Sequence, residues 1–363
     1  MSRLRMGIIG CGAIAQIQHL PHLRELSDEF EIAGLCDLSA RLLEALGDEY
    51  RVPVAGRHRD YESLLASDVD AVIVCPSGRH DIPSIAAARA GKHVFVEKPM
   101  CTTEAEARAM VAAADEAGIV LQVGYMKRHD PGYQYARDRV AEMPDARFIQ
   151  VNHLHCDNSL HLRDFKVLRF DDVPTDGRAE ETADRRQAIA SELGYASPED
   201  MPAAIVRAFG TILGSMIHDI GNLEGLFGPP TRVISTEIWA DGRGINTVLE
   251  YPGEKRAVCT WVDLTELPEF TETLEIYGSR RRVRVSFPSG FARGADTVAT
   301  IHAIEPGGEA SRRTLTWHEN PFKNEIRHFR QCIVDGVEPI TPGRRVVADI
   351  ALVRDIVRAY VHR

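Results

Sequence analysis

The chain has 363 residues, 44% hydrophobic and 26% charged, a balance that suits a globular protein and excludes an intrinsically disordered one. Its net charge of −10, from 43 basic and 53 acidic side chains, repels phosphate backbones and excludes nucleic-acid binding as a main role. The length predicts two domains, each able to bury its own core.

The first residues, Met1 to Arg5, lead directly into a predicted strand, leaving no room for a secretion signal. Strands are predicted at 5–9, 31–36, 70–75, 93–96 and 119–123. Helices are predicted between them at 13–26, 40–47, 61–66, 82–90 and 104–117. This alternation describes parallel βαβ units, and hence a doubly wound parallel sheet covered by helices on both faces. Domain 1 is expected to span 1–124.

Between the first strand and helix lies Gly10-Cys11-Gly12-Ala13-Ile14-Ala15, a GxGxxA loop. Gly10 permits the tight turn, Gly12 lets a pyrophosphate approach the backbone, and Ala15 lets helix and strand pack closely. Phosphates would sit where the helix presents free N–H groups. Asp37 ends the second strand about 20 residues on, where a carboxylate accepts bonds from the adenosine ribose and repels a 2′-phosphate. That favours NAD, with NADP kept open because Arg41 is close by.

Ligands of open α/β sheets bind outside the carboxyl ends of the strands. Two such ends stand out: Pro76-Ser77-x-x-His80, and Glu97-Lys98-Pro99. Burial and neighbours can tune a lysine at a cleft floor for proton transfer. The competing reading of Lys98 is a surface lysine paired with Glu97.

After about residue 145 the pattern changes. A strand is predicted at 147–155, ending in alternating His153, His155 and Asp157, with Asn158 and His161 after it. Alternation puts the first three on one face. They could hold a divalent metal, or form an oligomer surface or solvated strand end. Residues 157–208 form a polar insertion with a predicted helix at 179–193; its mixed charges from Asp176 to Glu192 read as a solvated face, a lid or a partner contact.

A helix is predicted at 211–227. Ile212, Leu213, Met216, Ile220, Leu223 and Phe227 form its apolar stripe. Its other face carries Thr211, Gly214, His218, Gly221 and Gly225. Each glycine costs up to about 1 kcal/mol against alanine, so the small residues indicate close approach of a backbone or ligand. Between a core histidine and a catalytic base, this setting favours the base for His218. From 232 to 317 strand follows strand, as a mainly antiparallel sheet, and helices are predicted at 324–335 and 344–362. Domain 2, 125–363, is therefore an α+β unit.

No apolar run approaches the roughly 20 residues of a membrane span. Seven scattered cysteines form no CxxC pair and suit a reducing cytoplasm as small buried residues.

The GxGxxA loop, Pro76-Ser77-x-x-His80, Glu97-Lys98-Pro99 and Gly124-Tyr125-Met126-Lys127-Arg128-His129-Asp130-Pro131 occur in one order and spacing. Together they resemble the glucose–fructose oxidoreductase, inositol dehydrogenase and rhizopine-catabolism (Gfo/Idh/MocA) family over essentially the whole chain. The resemblance implies a Rossmann domain and an α/β domain whose open sheet often builds a dimer or tetramer. It also implies NAD(P)-dependent oxidation or reduction of sugars, cyclitols or related polyols. Cofactor contacts are then expected from Gly10, Gly12, Ala13, Ile14, Ala15, Asp37, Pro76, Ser77, His80, Glu97 and Lys98. Catalysis is expected from Lys98 and His218, and substrate binding from Lys98, Arg128, His155, Asp157 and His218. No metal is expected. The family's lysine contacts the reacting hydroxyl, and the bond before its proline is often cis.

Many members carry an aspartate one turn before the histidine, where this chain has Gly214. Asp219 is no simple substitute, since helix neighbours point about 100° apart. Either another group, such as Asp157, orients the site, or the chemistry departs from simple alcohol oxidation. A redox-neutral enzyme with tightly held NAD, and a non-catalytic dinucleotide-binding regulator, are the alternatives to a dehydrogenase. A metal-dependent hydrolase is a further one.

Overall fold

A computed structural model describes residues 3–174, 178–292 and 295–362. The first two residues, and Asp176 at the start of the charged stretch, lie outside them. The chain divides into two compact units. The first comprises Met1–Tyr125, Phe165–Ala188 and Phe322–Val347; the second comprises Met126–Asp164, Ile189–Pro321 and Ala348–Arg363. The first crossing falls beside the expected boundary at 124. Residues 165–174, 178–188 and 322–347, expected in the second domain, cluster with the first unit.

The first unit is built on strands β1 (Leu4–Ile9), β2 (Phe30–Cys36), β3 (Arg57–His58), β4 (Ala71–Val74), β5 (His93–Glu97) and β6 (Leu121–Gly124). Their order is β3-β2-β1-β4-β5-β6 and the pairs are parallel. Met6, Ile8, Val72, Ile73, Val94 and Phe95 are buried, because helices cover both sheet faces. The order reverses between β1 and β4, which makes their carboxyl ends the crevice where such sheets bind ligands.

Local signals set several helices. Glu104–Ala117 starts at a capping box, with Thr103 and Glu106 each accepting from the other's backbone N–H, and stops at Gly118 with φ +64. The helix expected at 13–26 starts at Ala13, takes a π-helical turn over Ala15–His19 and continues as Leu20–Glu25.

The second unit holds β7 (Phe148–His155), β8 (Arg232–Trp239), β9 (Gly244–Tyr251), β10 (Lys255–Asp263), β11 (Thr271–Tyr277), β12 (Arg281–Phe287), β13 (Thr297–Ile304) and β14 (Ala310–Trp317). They form one sheet in the order β14-β13-β12-β11-β7-β10-β9-β8. All pairs are antiparallel except β7 with β10. Helix Pro131–Ala141 was not anticipated; Asp130 caps it by accepting from the Gly132 amide at 2.7 Å, and Pro131 starts it.

The helix expected at 211–227 is longer. It runs Ala203–Phe227, with a π-helical turn at Ile212–Met216. Ile212, Leu213, Met216, Ile220 and Leu223 are buried as its stripe predicts. By length and composition it is the one helix among the described residues able to cross a membrane, and 56% of its most apolar window is buried within the protein. The seven cysteines are all buried, with no disulfide.

Candidate active site

In the first unit, the end of β1 meets the end of β4. Gly10 has φ +90, and a Cβ there would lie 2.4 Å from Pro76 Cα, so only glycine fits. Gly12 differs: a Cβ would have one neighbour within 4 Å, Ser77 Oγ at 4.0 Å. The chain therefore closes on Gly10 and leaves room at Gly12, which is the shape a pyrophosphate needs. Asp37 holds this loop to β2. Its Oδ2 accepts from the Cys11 amide at 2.8 Å and its Oδ1 from the Ser39 amide at 2.9 Å. A carboxylate oxygen accepts more than one bond, so Asp37 keeps capacity for ribose hydroxyls. These residues fit a bound dinucleotide.

At the end of β5, buried Glu97 accepts from His19 Nε2 at 2.8 Å and from the Lys98 amide at 3.1 Å. Glu97 thus orients the backbone of the lysine that follows it. The Lys98–Pro99 bond is cis. His80, expected among the cofactor contacts, has both ring nitrogens on carbonyls. Nδ1 lies 2.9 Å from that of Glu97 and 2.8 Å from that of Pro99, and Nε2 lies 2.9 Å from that of Pro76. It braces the two strand-end loops. Glu325 is also buried in this unit, and desolvation, then the charge of Glu97, pushes its carboxyl well above the usual range.

In the second unit, His218 is buried on Ile217–Phe227, just after the π-helical turn. Such turns are frequent at functional sites. A Cβ on Gly214, inside that turn, would meet nothing within 4 Å. Gly225 serves packing: a Cβ there would lie 2.3 Å from Arg128 Cζ.

Arg128, expected among the substrate-binding residues, is engaged within its own unit. Its guanidinium is buried, donating to the Gly221 carbonyl at 2.8 Å and to Glu224 at 2.7 Å. It ties down the helix rather than presenting a cation to substrate. Asp157 is also committed locally. Its carboxylate accepts from the Ser159 amide at 2.8 Å and hydroxyl at 2.6 Å, so the predicted His153–His155–Asp157 face does not assemble a three-ligand set.

The group that does assemble was missed. His153 Nδ1 lies 2.9 Å from Asp219 Oδ2, and Lys127 pairs with Glu272, whose Oε2 is 3.8 Å from His153 Nε2. All four are buried. Burial pushes the Glu272 carboxyl up, against the pull of Lys127 and His153. Ligand atoms of His153, Asp219 and Glu272 lie within 4.8 Å of one another, but the Lys127 ammonium already supplies positive charge on Glu272. A metal would have to compete with it. His155 stacks on Trp261 with ring centroids 5.5 Å apart, and burial followed by His153 lowers its pKa to about 4. It is a neutral, half-buried donor or acceptor near neutrality. The signal for Lys127 stood inside the 124–131 motif, whereas nothing local marks Glu272.

Residues 4–125 match the model of a family described as an oxidoreductase family with an NAD-binding Rossmann fold. The inositol 2-dehydrogenase of Paracoccus denitrificans (strain Pd 1222) is 38% identical over 146 residues, 39% of this chain and 43% of that one. The match thus spans well under half of that relative's length. The UDP-N-acetylglucosamine 3-dehydrogenase of Acidithiobacillus ferrooxidans (strain ATCC 23270) aligns over 100% of both chains at 26% identity. Among solved structures, the aldose-aldose oxidoreductase from Caulobacter crescentus, complexed with glycerol, superimposes with a TM-score of 0.72. It covers 99% of this chain and 98% of that one at 21% identity, a likeness of fold.

Proposed function

We propose, from the match of residues 4–125 to the oxidoreductase family model and the resemblance to the Gfo/Idh/MocA family, that this protein is an NAD(P)-dependent dehydrogenase of a sugar, cyclitol or related polyol. The observation that carries this reading is the contrast between Gly10, closed against Pro76, and Gly12, open beside Ser77, with Asp37 at the end of β2. Ala13, Ile14 and Ala15 complete the loop, and Pro76, Ser77, Glu97 and Lys98 complete the cofactor side.

When bound, the nicotinamide supplies the acceptor or donor of a hydride. His218 takes the proton from the secondary hydroxyl as general base, and returns it in the reductive direction. The Lys98 ammonium donates a hydrogen bond to the same oxygen and stabilises its developing charge. Glu97 positions Lys98 through the backbone amide. His155, neutral because of its lowered pKa, serves as a hydrogen-bonding partner for substrate hydroxyls.

The protein further acts as a cytoplasmic homodimer or homotetramer. Seven buried thiols suit a reducing compartment, and exposed Phe148, Ile234, Trp239 and Ile304 give the large sheet apolar surface for a second copy. Light scattering tests the assembly, and a monomer at all concentrations would refute it.

The activity is tested by a panel of sugars, cyclitols and sugar acids with NAD and NADP separately, following the near-ultraviolet absorbance of the reduced nicotinamide. A polyol that produces signal supports the dehydrogenase. Silence across the panel from protein that binds NAD turns the assignment toward a redox-neutral enzyme or a non-catalytic dinucleotide-binding regulator.

A further inference from the structure

Cofactor choice is ambiguous in the sequence, because Asp37 opposes a 2′-phosphate while Arg41 invites one. The segment 165–174, which packs with the first unit, removes the ambiguity. Ser39 Oγ donates to Asp172 Oδ1 at 2.5 Å, and the Arg41 amide donates to Asp172 Oδ2 at 3.1 Å. The Arg41 guanidinium donates to Asp171 Oδ1 at 2.9 Å and lies 4.6 Å from the centre of the Phe170 ring. The hydroxyl, amide and guanidinium that a phosphate monoester would take beyond β2 are thus engaged by two carboxylates of the same chain.

The carboxylates are anchored. Gln16, on the helix after the glycine loop, donates to the Leu168 carbonyl at 3.1 Å and accepts from the Leu168 amide at 2.8 Å. Leu168 and Phe170 also pack against the apolar core of this unit. A dianion arriving at Ser39 would meet Asp37, Asp171 and Asp172 together, and like charges brought together at a binding surface oppose association. A ribose with a free 2′-hydroxyl brings no such charge and can donate to Asp37.

We propose that Asp171 and Asp172 are specificity-determining residues: they occupy the position of a 2′-phosphate and make the protein select NAD(H) over NADP(H). The proposal rests on the dehydrogenase reading of the glycine loop. It assigns discrimination to a segment more than 120 residues from the loop it guards in sequence and removes Arg41 as a phosphate receptor.

The test is binding, measured on cofactor-free full-length protein by calorimetry with NADH and NADPH separately. Wild type is expected to bind NADH at least about tenfold more tightly than NADPH. Asp171→Asn/Asp172→Asn is expected to narrow that ratio about tenfold through tighter NADPH binding. Adding Arg41→Ala to the double variant is expected to abolish the gain. The single change Asp171→Asn leaves the Asp172 contacts in place and guards against a double variant that fails to fold; it should narrow the ratio in the same direction. Equal loss of both nucleotides in the substituted proteins, or wild-type binding of NADPH as tight as NADH, overturns the specificity role while leaving dinucleotide binding intact. Binding of neither nucleotide by wild type overturns the dehydrogenase reading itself, and this proposal with it.

Discussion

His153 on β7 and Asp219 on the helix Ile217–Phe227 form a buried pair, Nδ1 to Oδ2 at 2.9 Å, and Asp219 is the residue next to His218. The candidate base is therefore carried on a helix whose rotation against the sheet is set by its sequence neighbour. Helix neighbours point about 100° apart, so fixing Asp219 into the sheet aims His218 elsewhere. Asp219 thus positions the helix and leaves the role of the aspartate absent at Gly214 unfilled.

Removing one member of a buried pair leaves the other uncompensated, which typically costs about 3–5 kcal/mol. His153→Ala is expected to destabilise the protein by about that amount, because Asp219 and Glu272 then face one another without it. Denaturant unfolding measures it. In a double-mutant cycle, His153→Ala and Asp219→Ala together should cost clearly less than their sum. Strict additivity would show that the pair does not act as a unit.

Gly10 and Gly12 should respond differently to alanine. At Gly10 the new Cβ meets the Pro76 backbone and φ is +90, so Gly10→Ala should lower Tm by several degrees. Gly12→Ala has room and should keep wild-type Tm while losing dinucleotide affinity. A wild-type affinity in folded Gly12→Ala would remove the phosphate cradle from the account.

Lys98→Met and His218→Asn should each reduce turnover by about 10²–10⁴-fold, the usual contribution of a positioned proton-transfer group or charge-stabilising donor. Dinucleotide affinity should change far less. Steady-state kinetics with parallel binding titrations separates the two. Equal losses in turnover and cofactor binding would reassign Lys98 to holding the cofactor.

The buried carboxyl of Glu325 gives stability a defined pH dependence. Its folded pKa is raised above the ordinary value of 4.5, so the folded state holds a proton that the unfolded state releases. Its contribution is fully present below pH 4.5 and is lost as pH rises towards the folded pKa. Glu325→Gln, which cannot ionise, should therefore raise Tm relative to wild type more at pH 8 than at pH 5. A constant difference across that range would contradict the assignment. His155 works in the opposite direction. Its pKa is lowered to about 4, so its contribution is present above about 6.5 and is lost as pH falls towards 4.

Gly214 offers a gain-of-group test. A Cβ there would meet nothing within 4 Å, and aspartate is a slightly better helix former than glycine. Gly214→Asp should fold with stability near wild type, and it should alter the pH profile of kcat if a carboxylate one turn before His218 tunes the base. A variant that unfolds would show that the space is needed by the backbone.

The features legible in the sequence are those that local chemistry dictates. The capping box at Thr103 and Glu106 and the glycine at 118 delimit their helix without outside help. The GxGxxA loop is legible from its own residues, although the groups that close it, Pro76, and hold it, Asp37, are distant. What was missed depends on distant partners. Arg128 reads as a binding cation until Gly221 and Glu224, more than 90 residues on, take its guanidinium. Glu272 looks like any acidic residue in a strand until Lys127 and His153 surround it. The acidic pair at 171 and 172 lies in the polar 157–208 insertion outside its predicted helix, and its meaning comes from Ser39 and Arg41.

The proposed reaction transfers a hydride from a polyol carbon. Its most direct measurement uses a polyol that turns over in the panel, deuterated at the carbinol carbon, incubated with the protein and oxidised NAD. Nuclear magnetic resonance then follows the label. Deuterium is expected on the nicotinamide ring of the reduced cofactor, in step with ketone formation. Deuterium returned to the carbohydrate product or lost to water, with no labelled reduced cofactor, would contradict it.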